Sequence, residues 1–378
     1  MKGDYILSLA ILLLPFFAII QLLLPMYGLF SVERSADLRV YATLITILPA
    51  VFVAVKRNLT SVLLPFIMYL FIALIHYNVF PLSHAFLESR KALTLTPIVI
   101  LTGVFMFNIK DLGSFKEVFL WVSRASVPLA LIYVWGRLHS PFLIDDSNYD
   151  MSFGYTLLSS TMFLFTQDNA FDKACSLLMW VLIVFGGSRG PAIVAGFFYI
   201  ISFLLYTDIR RLKVWQVAML ICILLVGIAV LPKLLDFSSS RTVMLFEAGE
   251  GFSHDSDRSV LYEIAVSNIL EKPFFGTGVG SDWAIMGGYC HNFFLEISLH
   301  HGLLISILVC LAIVSSCFSI YKRLRYFGRK DEMQLFILVL IGGIMPLLVS
   351  SSYLLNSLFG LTIGLIMRYK YNKSIQEF

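Results

Sequence analysis

The chain alternates between long apolar blocks and short polar connections. An apolar run of about 20 residues is long enough to cross a bilayer as a helix. Twelve such segments are read, at roughly 5–24, 38–55, 59–80, 93–108, 118–138, 152–166, 174–187, 191–206, 214–231, 292–320, 333–350 and 353–368. Several are short, and the weakest pair, 174–187 and 191–206, is parted only by Ser188-Arg189-Gly190. Segment 5–24 follows Met1 and Lys2, but no small-residue cleavage site comes after it, so it reads as a retained first span rather than a signal peptide. One connection, 232–291, is far longer than the rest. Within it, Arg258–Glu271 places Leu261, Ile264, Ala265 and Ile269 at helical spacing, with Ser256 and Asp257 as N-cap candidates. This pattern predicts an amphipathic helix lying at the membrane surface. Pro273 and the run Gly276–Gly280 end it in a tight turn. The expected fold is all-α: a polytopic integral membrane protein of about twelve transmembrane helices, one transmembrane domain over 1–378, with 232–291 as a large loop within it.

Composition narrows the class. Hydrophobic residues make up 58% of the 378 and charged residues only 14%, with a mean hydropathy of +0.85. These values exclude an ordinary soluble fold, a disordered chain and a nucleic-acid binder. Five cysteines with no CxxC give no disulfide framework. Lys and Arg set the orientation. With the N-terminus inside, the inner segments carry seventeen of them and the outer segments nine, while Arg124 and Arg137 fall within the fifth span. Both termini are then cytoplasmic and 232–291 lies outside. Each arginine on the outer face runs against this bias and needs a reason.

The candidate chemistry is on that outer side. Gly276–Gly280 looks like the start of a dinucleotide fingerprint, but it lacks the strand and βαβ context, so it reads as a backbone corner. His291-Asn292 opens the tenth span; alone, the pair is an ordinary polar helix cap. His300 and His301 follow deeper, with Glu296 between, at poor spacing for a metal, and no HExxH is present. Arg189 sits at a hairpin tip, where snorkelling to headgroups would explain it. Arg241 and Arg258 flank a polar stretch and could form surface ion pairs; Arg90 with Lys91, and Arg124, have similar ordinary explanations. The combination says more than its parts. Arginine binds phosphate bidentately, and a neutral imidazole at the same depth can take a proton from an acceptor hydroxyl.

At these residues the sequence resembles a known family. GGSRGPAIVAGFF at 186–198, SDRSVLYEIAVSNILEKPFFGTGVG at 256–280 and HNFFLEISLHHGLL at 291–304 are similar, in order and spacing, to the O-antigen polymerase and O-antigen ligase superfamily. The SRGP and HNFFLE forms look more like polymerases. One departure is His300, which stands at about the place where the family often carries an acid before the glycine. The resemblance implies a GT-C-like, metal-independent glycosyltransferase of the bacterial inner membrane, with no cofactor and a site facing the periplasm. Its substrate would be an undecaprenyl-diphosphate-linked oligosaccharide, in contact with membrane lipid, and a chain-length regulator and a flippase are implied partners. It also implies roles: Arg189 and Arg258 hold the donor diphosphate, joined by Arg241; His291 is the acceptor's base; Asn292 orients His291 or a sugar hydroxyl; Arg90 contacts donor or glycan. A ligase, passing the glycan to lipid A–core, is the nearest alternative. A flippase or other transporter is the alternative of another class. That class expects repeats and a central loop, whereas the large loop here falls between the ninth and tenth spans.

Overall fold

The structure, a computed structural model, describes residues 2–139, 151–185, 189–206 and 258–371. Among the described residues every regular element is a helix. The chain runs through α1 (Lys2–Met26), α2 (Val32–Arg57), α3 (Leu59–Val79), a 3-10 turn (Pro81–Ser83), α4 (His84–Leu87), α5 (Arg90–Asn108) and α6 (Leu112–His139). Then come α7 (Met151–Phe165), α8 (Ala170–Phe185) and α9 (Arg189–Tyr206). After the loop come α10 (Arg258–Glu271), α11 (Asp282–Met286), α12 (Phe293–His301), α13 (Leu303–Tyr326), α14 (Lys330–Val349) and α15 (Ser357–Tyr371).

Seven of the described helices, α1, α2, α3, α5, α6, α13 and α14, are long and apolar enough to cross a membrane. The chain is an all-α polytopic membrane protein. α7, α8 and α15 are apolar but only 15 or 16 residues long. The expected span 214–231 lies outside the described residues, as do Ser256, Asp257 and Arg241. The expected tenth span, 292–320, is not one helix. It breaks at Gly302 into α12 and α13, so α12 is too short to cross and only α13 spans.

Two compact units are distinguished. The first contains Met1–Leu13, Thr43–Val118 and Asp255–Phe378; the second contains Leu14–Ala42 and Phe119–His254. In the first, α5 packs on α15 at Gly360 and Gly364, where a Cβ would strike the backbone of Val99 and Gly103 respectively. This is the small-residue contact that lets membrane helices approach closely. Thr102 Oγ1 adds a bond to Ser357 O at 3.0 Å. One end of this unit gathers the basic residues that the charge count places inside. Arg57 Nη1 meets Asp4 Oδ1 at 2.6 Å and Asn108 O at 2.7 Å. Arg368 donates to Ile109 O and Lys110 O, both at 2.8 Å, and Arg323 to Tyr369 O at 2.7 Å. Lys116 pairs with Asp331 at 3.3 Å. The starts of α1, α6 and α14 and the ends of α2, α5, α13 and α15 therefore share one face, as an alternating path through a bilayer requires. The polar cluster described below lies in this unit, beside the end of α14 and the start of α13.

The second unit packs Phe153, Leu157, Met179 and Ile183 of α7 and α8 around Ile19 and Tyr133. Arg124 pairs within the bundle. Its Nε and Nη2 each reach a carboxylate oxygen of buried Asp172 at 2.8 Å, a bidentate arrangement.

Candidate active site

The break at Gly302 leaves the last carbonyls of α12 without helical partners. The Gly-rich strap that follows α10 supplies donors. Thr277 N–H donates to Leu299 O at 2.7 Å and Gly278 N–H to His300 O at 3.1 Å, while Pro273 O accepts from Leu303 N–H at 2.7 Å. Gly276, Gly278 and Gly280 have φ of +69°, +102° and +68°, and a Cβ on Gly276 would meet Leu299 O at 2.6 Å. The strap is thus the backbone corner expected from sequence, and its glycines meet both demands, positive φ and close approach. Two further strap amides point at imidazoles: Val279 N–H donates to His76 Nδ1 at 2.9 Å, and Gly280 N–H lies 3.2 Å from His300 Nε2.

Around this frame the first unit holds a buried polar cluster. Asp282, Glu296 and His300 are each 0% exposed. His300 Nε2 lies 3.0 Å from Asp282 Oδ1, and its Nδ1 lies 2.9 Å from the Tyr353 hydroxyl, which is also 3.2 Å from His301 Nε2. Glu296 accepts from the Ser352 hydroxyl and, at 3.4 Å, from Tyr353 N–H. Burial, and then the negative charge of Asp282, push the Glu296 carboxyl well above the ordinary carboxylate range. Asp282, Glu296 and His300 bring three potential ligand atoms within 4.8 Å of one another. Ser352, Tyr353 N–H and Gly280 N–H already engage most of their lone pairs, and Asp282 Oδ2 is left without a hydrogen-bond partner.

His291 and Arg258 border this cluster. His291 is the one non-glycine residue with positive φ among the described residues, at +56°. Such a backbone costs about 1–3 kcal/mol and persists where the surroundings impose it. Its ring lies against Tyr289 with centroids 4.3 Å apart and the planes tilted by 49°, and its Nδ1 is buried with no hydrogen-bond partner. Burial lowers the His291 pKa, and the nearby Arg258 charge lowers it further, while the facing Ser350 carbonyl acts the other way. Arg258, the first residue of α10, is half-buried and donates from Nη1 to Val349 O at 2.9 Å, at the carbonyl end of α14. Tyr289 donates to Ser350 O at 3.2 Å. Asn292 caps α12, its Oδ1 accepting from Phe294 N–H and Leu295 N–H at 3.1 and 3.2 Å. What it can still offer a sugar hydroxyl is its amide NH₂.

Of the residues singled out from sequence, the structure brings Arg258, His291 and Asn292 together. Arg90 opens α5 in the same unit and is exposed; its neighbour Lys91 lies 4.0 Å above the Trp283 ring. Arg189 opens α9 in the second unit, its side chain lying outside the described residues, as does all of Arg241. Asp282, Tyr289, Tyr353 and His76 went unread in the sequence. No motif marks them: Asp282 and Tyr289 fall in the long loop, and His76 and Tyr353 are single side chains at the ends of apolar stretches. α10 occupies Arg258–Glu271 as expected, and it buries Ala265 and Ile269 against Cys290 and Leu299. Its other side exposes Val266 and Leu270, and the strap continues that surface with Phe274 and Phe275, 71% and 78% exposed. A helix with apolar groups on both sides suits a position between protein and lipid.

A search among curated proteins finds no match for the chain. Residues 174–310 match the sequence model of a family described as O-antigen ligase. The matched stretch runs from α8 into α13 and contains Arg189, Arg258, the glycine strap, His291 and Asn292. The match covers 174–310 of the 378 residues and includes the stretches at 186–198, 256–280 and 291–304 that resemble the polymerase and ligase superfamily, so it supports that resemblance.

Proposed function

We propose that the chain is a polymerase of O-antigen or a related surface polysaccharide, working at the periplasmic face of the bacterial inner membrane. It transfers the growing glycan from undecaprenyl diphosphate to a hydroxyl of the next lipid-linked repeat unit. The observation that carries this reading is His291: a strained backbone holds a neutral-leaning imidazole beside an arginine, with a buried, unpartnered nitrogen. In the tautomer with its proton on Nε2, Nδ1 presents a lone pair for the acceptor hydroxyl's proton. The acceptor oxygen then bonds to the donor's anomeric carbon. The bond from that carbon to the phosphate oxygen breaks, and the electron pair leaves on undecaprenyl diphosphate. Arg258, with Arg189 and Arg241, holds that charge. Such preorganised electrostatics is the largest contribution in most enzymes of this kind. Asn292 and Arg90 contact the glycan. The opposite, Lys- and Arg-rich end of the first unit supports a cytoplasmic assignment for that end, and so a periplasmic one for this site.

A ligase reading shares the donor and the chemistry, and the description of the matched family favours it. One assay separates the two: purified protein in lipid with lipid-diphosphate repeat units as sole substrate. A ladder of polymer supports the polymerase. Transfer that appears only when lipid A–core is added supports the ligase. No transfer under either condition overturns the glycosyltransferase reading.

A further inference from the structure

The turn segment 350–356 links α14 to α15 without regular secondary structure, yet it carries the acceptors on which the candidate active site hangs. Arg258 is held by Val349 O, and Tyr289 by Ser350 O, which also faces His291. Ser350 N–H closes the last turn of α14 on Pro346 O at 2.9 Å, but its carbonyl lies past the helix end, so the aim of that carbonyl depends on what grips the following residues. Those grips come from one face of α12. Glu296 takes the Ser352 hydroxyl and Tyr353 N–H, and one turn later His300 and His301 take the Tyr353 hydroxyl. Glu296 itself is 0% exposed and has no cation paired to it among the described residues. Burying a carboxyl so completely is costly, and it is placed where its two oxygens fasten consecutive residues of one turn.

We infer that Glu296 is a positioning residue: through Ser352 and Tyr353 it locks the turn after α14, and thereby sets the Ser350 carbonyl that holds Tyr289 and faces His291. This rests on the glycosyltransferase reading for its consequence, though not for its geometry. Misplacing a catalytic group by about 1 Å costs on the order of 100-fold in rate. Glu296→Ala should therefore lower turnover by about 10- to 100-fold. In a His291→Ala background the same change should cost less than about threefold, because two residues acting as a unit are not additive. Glu296→Gln can keep both grips, its amide oxygen accepting from Tyr353 N–H and its NH₂ donating to Ser352 Oγ, and a neutral group suits a buried site beside Asp282, so it should restore turnover to within about fivefold. Ser352→Ala removes the other half of the clamp and should fall in the same direction, with the same loss of additivity.

A second measurement needs no catalysis. In protein whose five native cysteines are alanine, Ser350→Cys places a thiol on the turn and keeps the backbone carbonyl. Its labelling by a water-soluble maleimide should quicken about tenfold or more with Glu296→Ala, as local opening becomes easier, and stay near the parent rate with Glu296→Gln. Unchanged labelling in Glu296→Ala overturns the inference even if no glycan transfer is ever seen. Quickened labelling with fully additive rate losses would also overturn it, since the turn would then not act through His291. Equal inactivity of Glu296→Gln and Glu296→Ala would make Glu296 a direct acid, base or ligand instead. If the wild type transfers no glycan while labelling behaves as expected, the clamp stands and the proposed function falls.

Discussion

Replacing His291 with alanine should separate catalysis from stability. The ring loses its tilted contact with Tyr289, 4.3 Å between centroids, which is worth about 0.5–1.5 kcal/mol. Part of its apolar edge is no longer buried, at a further cost of about 1 kcal/mol. In return, the unpartnered buried Nδ1 disappears, relieving a penalty of about 1–3 kcal/mol. The φ of +56° is as unfavourable for alanine as for histidine, so it cancels. The net change is within about 1.5 kcal/mol of wild type in either direction, against about 2–5 kcal/mol for truncating a well-packed core side chain. His291→Gly keeps this balance and releases the backbone as well, so it should be more stable than the alanine variant by about 1 kcal/mol. Turnover should fall by about 100- to 10,000-fold in both. The measurement is unfolding in mixed micelles alongside polymer formation, on the same preparations. A stability loss of more than about 2 kcal/mol in His291→Ala would mark His291 as a structural residue. A rate within about threefold of wild type would leave it a loop residue and the base unidentified.

The arginines test the donor half of the site: Arg189→Lys and Arg258→Lys should not rescue function, because a point charge cannot reproduce the planar fork, and surface glycan should stop at one repeat unit per lipid A–core with normal protein levels. The pH profile tests the coupling between Arg258 and His291. A base works when deprotonated, and burial and then Arg258 depress the His291 pKa below its ordinary value, so activity should hold as pH falls through about 6.5 and decline only below it. Followed by NMR on the His291 ring rather than by activity, Arg258→Gln removes the positive charge and should raise the ring's pKa, whereas Arg258→Lys should leave it low; equal titrations in both variants would refute the coupling. Topology is tested by labelling in intact cells, where a cysteine at Ser253 should react and one at Gly328 should not. A chelator should leave polymer formation unchanged; its loss would instead make Asp282, Glu296 and His300, whose atoms lie within 4.8 Å, the place to look for an ion.

Much of the fold is legible in the sequence because a bilayer leaves a chain few choices. Backbone polar groups inside hydrocarbon must bond within the segment, so apolar length alone marks the long spans α1, α2, α3, α5, α6, α13 and α14. The gathering of basic residues at one end is legible for a similar reason. Arg57, Arg323 and Arg368 gather at one end, and the positive bias had already placed them together. The surface helix Arg258–Glu271 is readable down to its ends, since its i, i+4 pair Ala265 and Ile269 is the face it buries.

What hydropathy could not show is a helix broken inside an apolar run. Between residues 292 and 320 every window is apolar, and Gly302 is a tolerable residue in a membrane helix. The break is stable because a distant strap, Pro273 to Gly280, satisfies the backbone groups it exposes. Breaking there also stops α12 inside the protein, so that Glu296 and His300 point at Asp282 and Tyr353 rather than into lipid. The four come from three separate stretches of sequence: Asp282 on α11, Glu296 and His300 on α12, and Tyr353 in the turn before α15. Spacing arguments cannot assemble them, because Asp282 and Tyr353 lie on other segments, and His291, just ahead of α12, is more than two turns from His300 and His301 at its end. The place where the family often carries an acid is occupied by His300, and the carboxylates lie elsewhere in the cluster, one turn back at Glu296 and across the strap at Asp282. The energetic clue was nonetheless present. A carboxyl or imidazole in an apolar stretch is expensive unless partnered, so Asp282, Glu296, His300 and His76 each required a partner from beyond their own segment. Partners drawn from so many segments are available only where helix ends and loops meet, which is also where His291 and Arg258 are held.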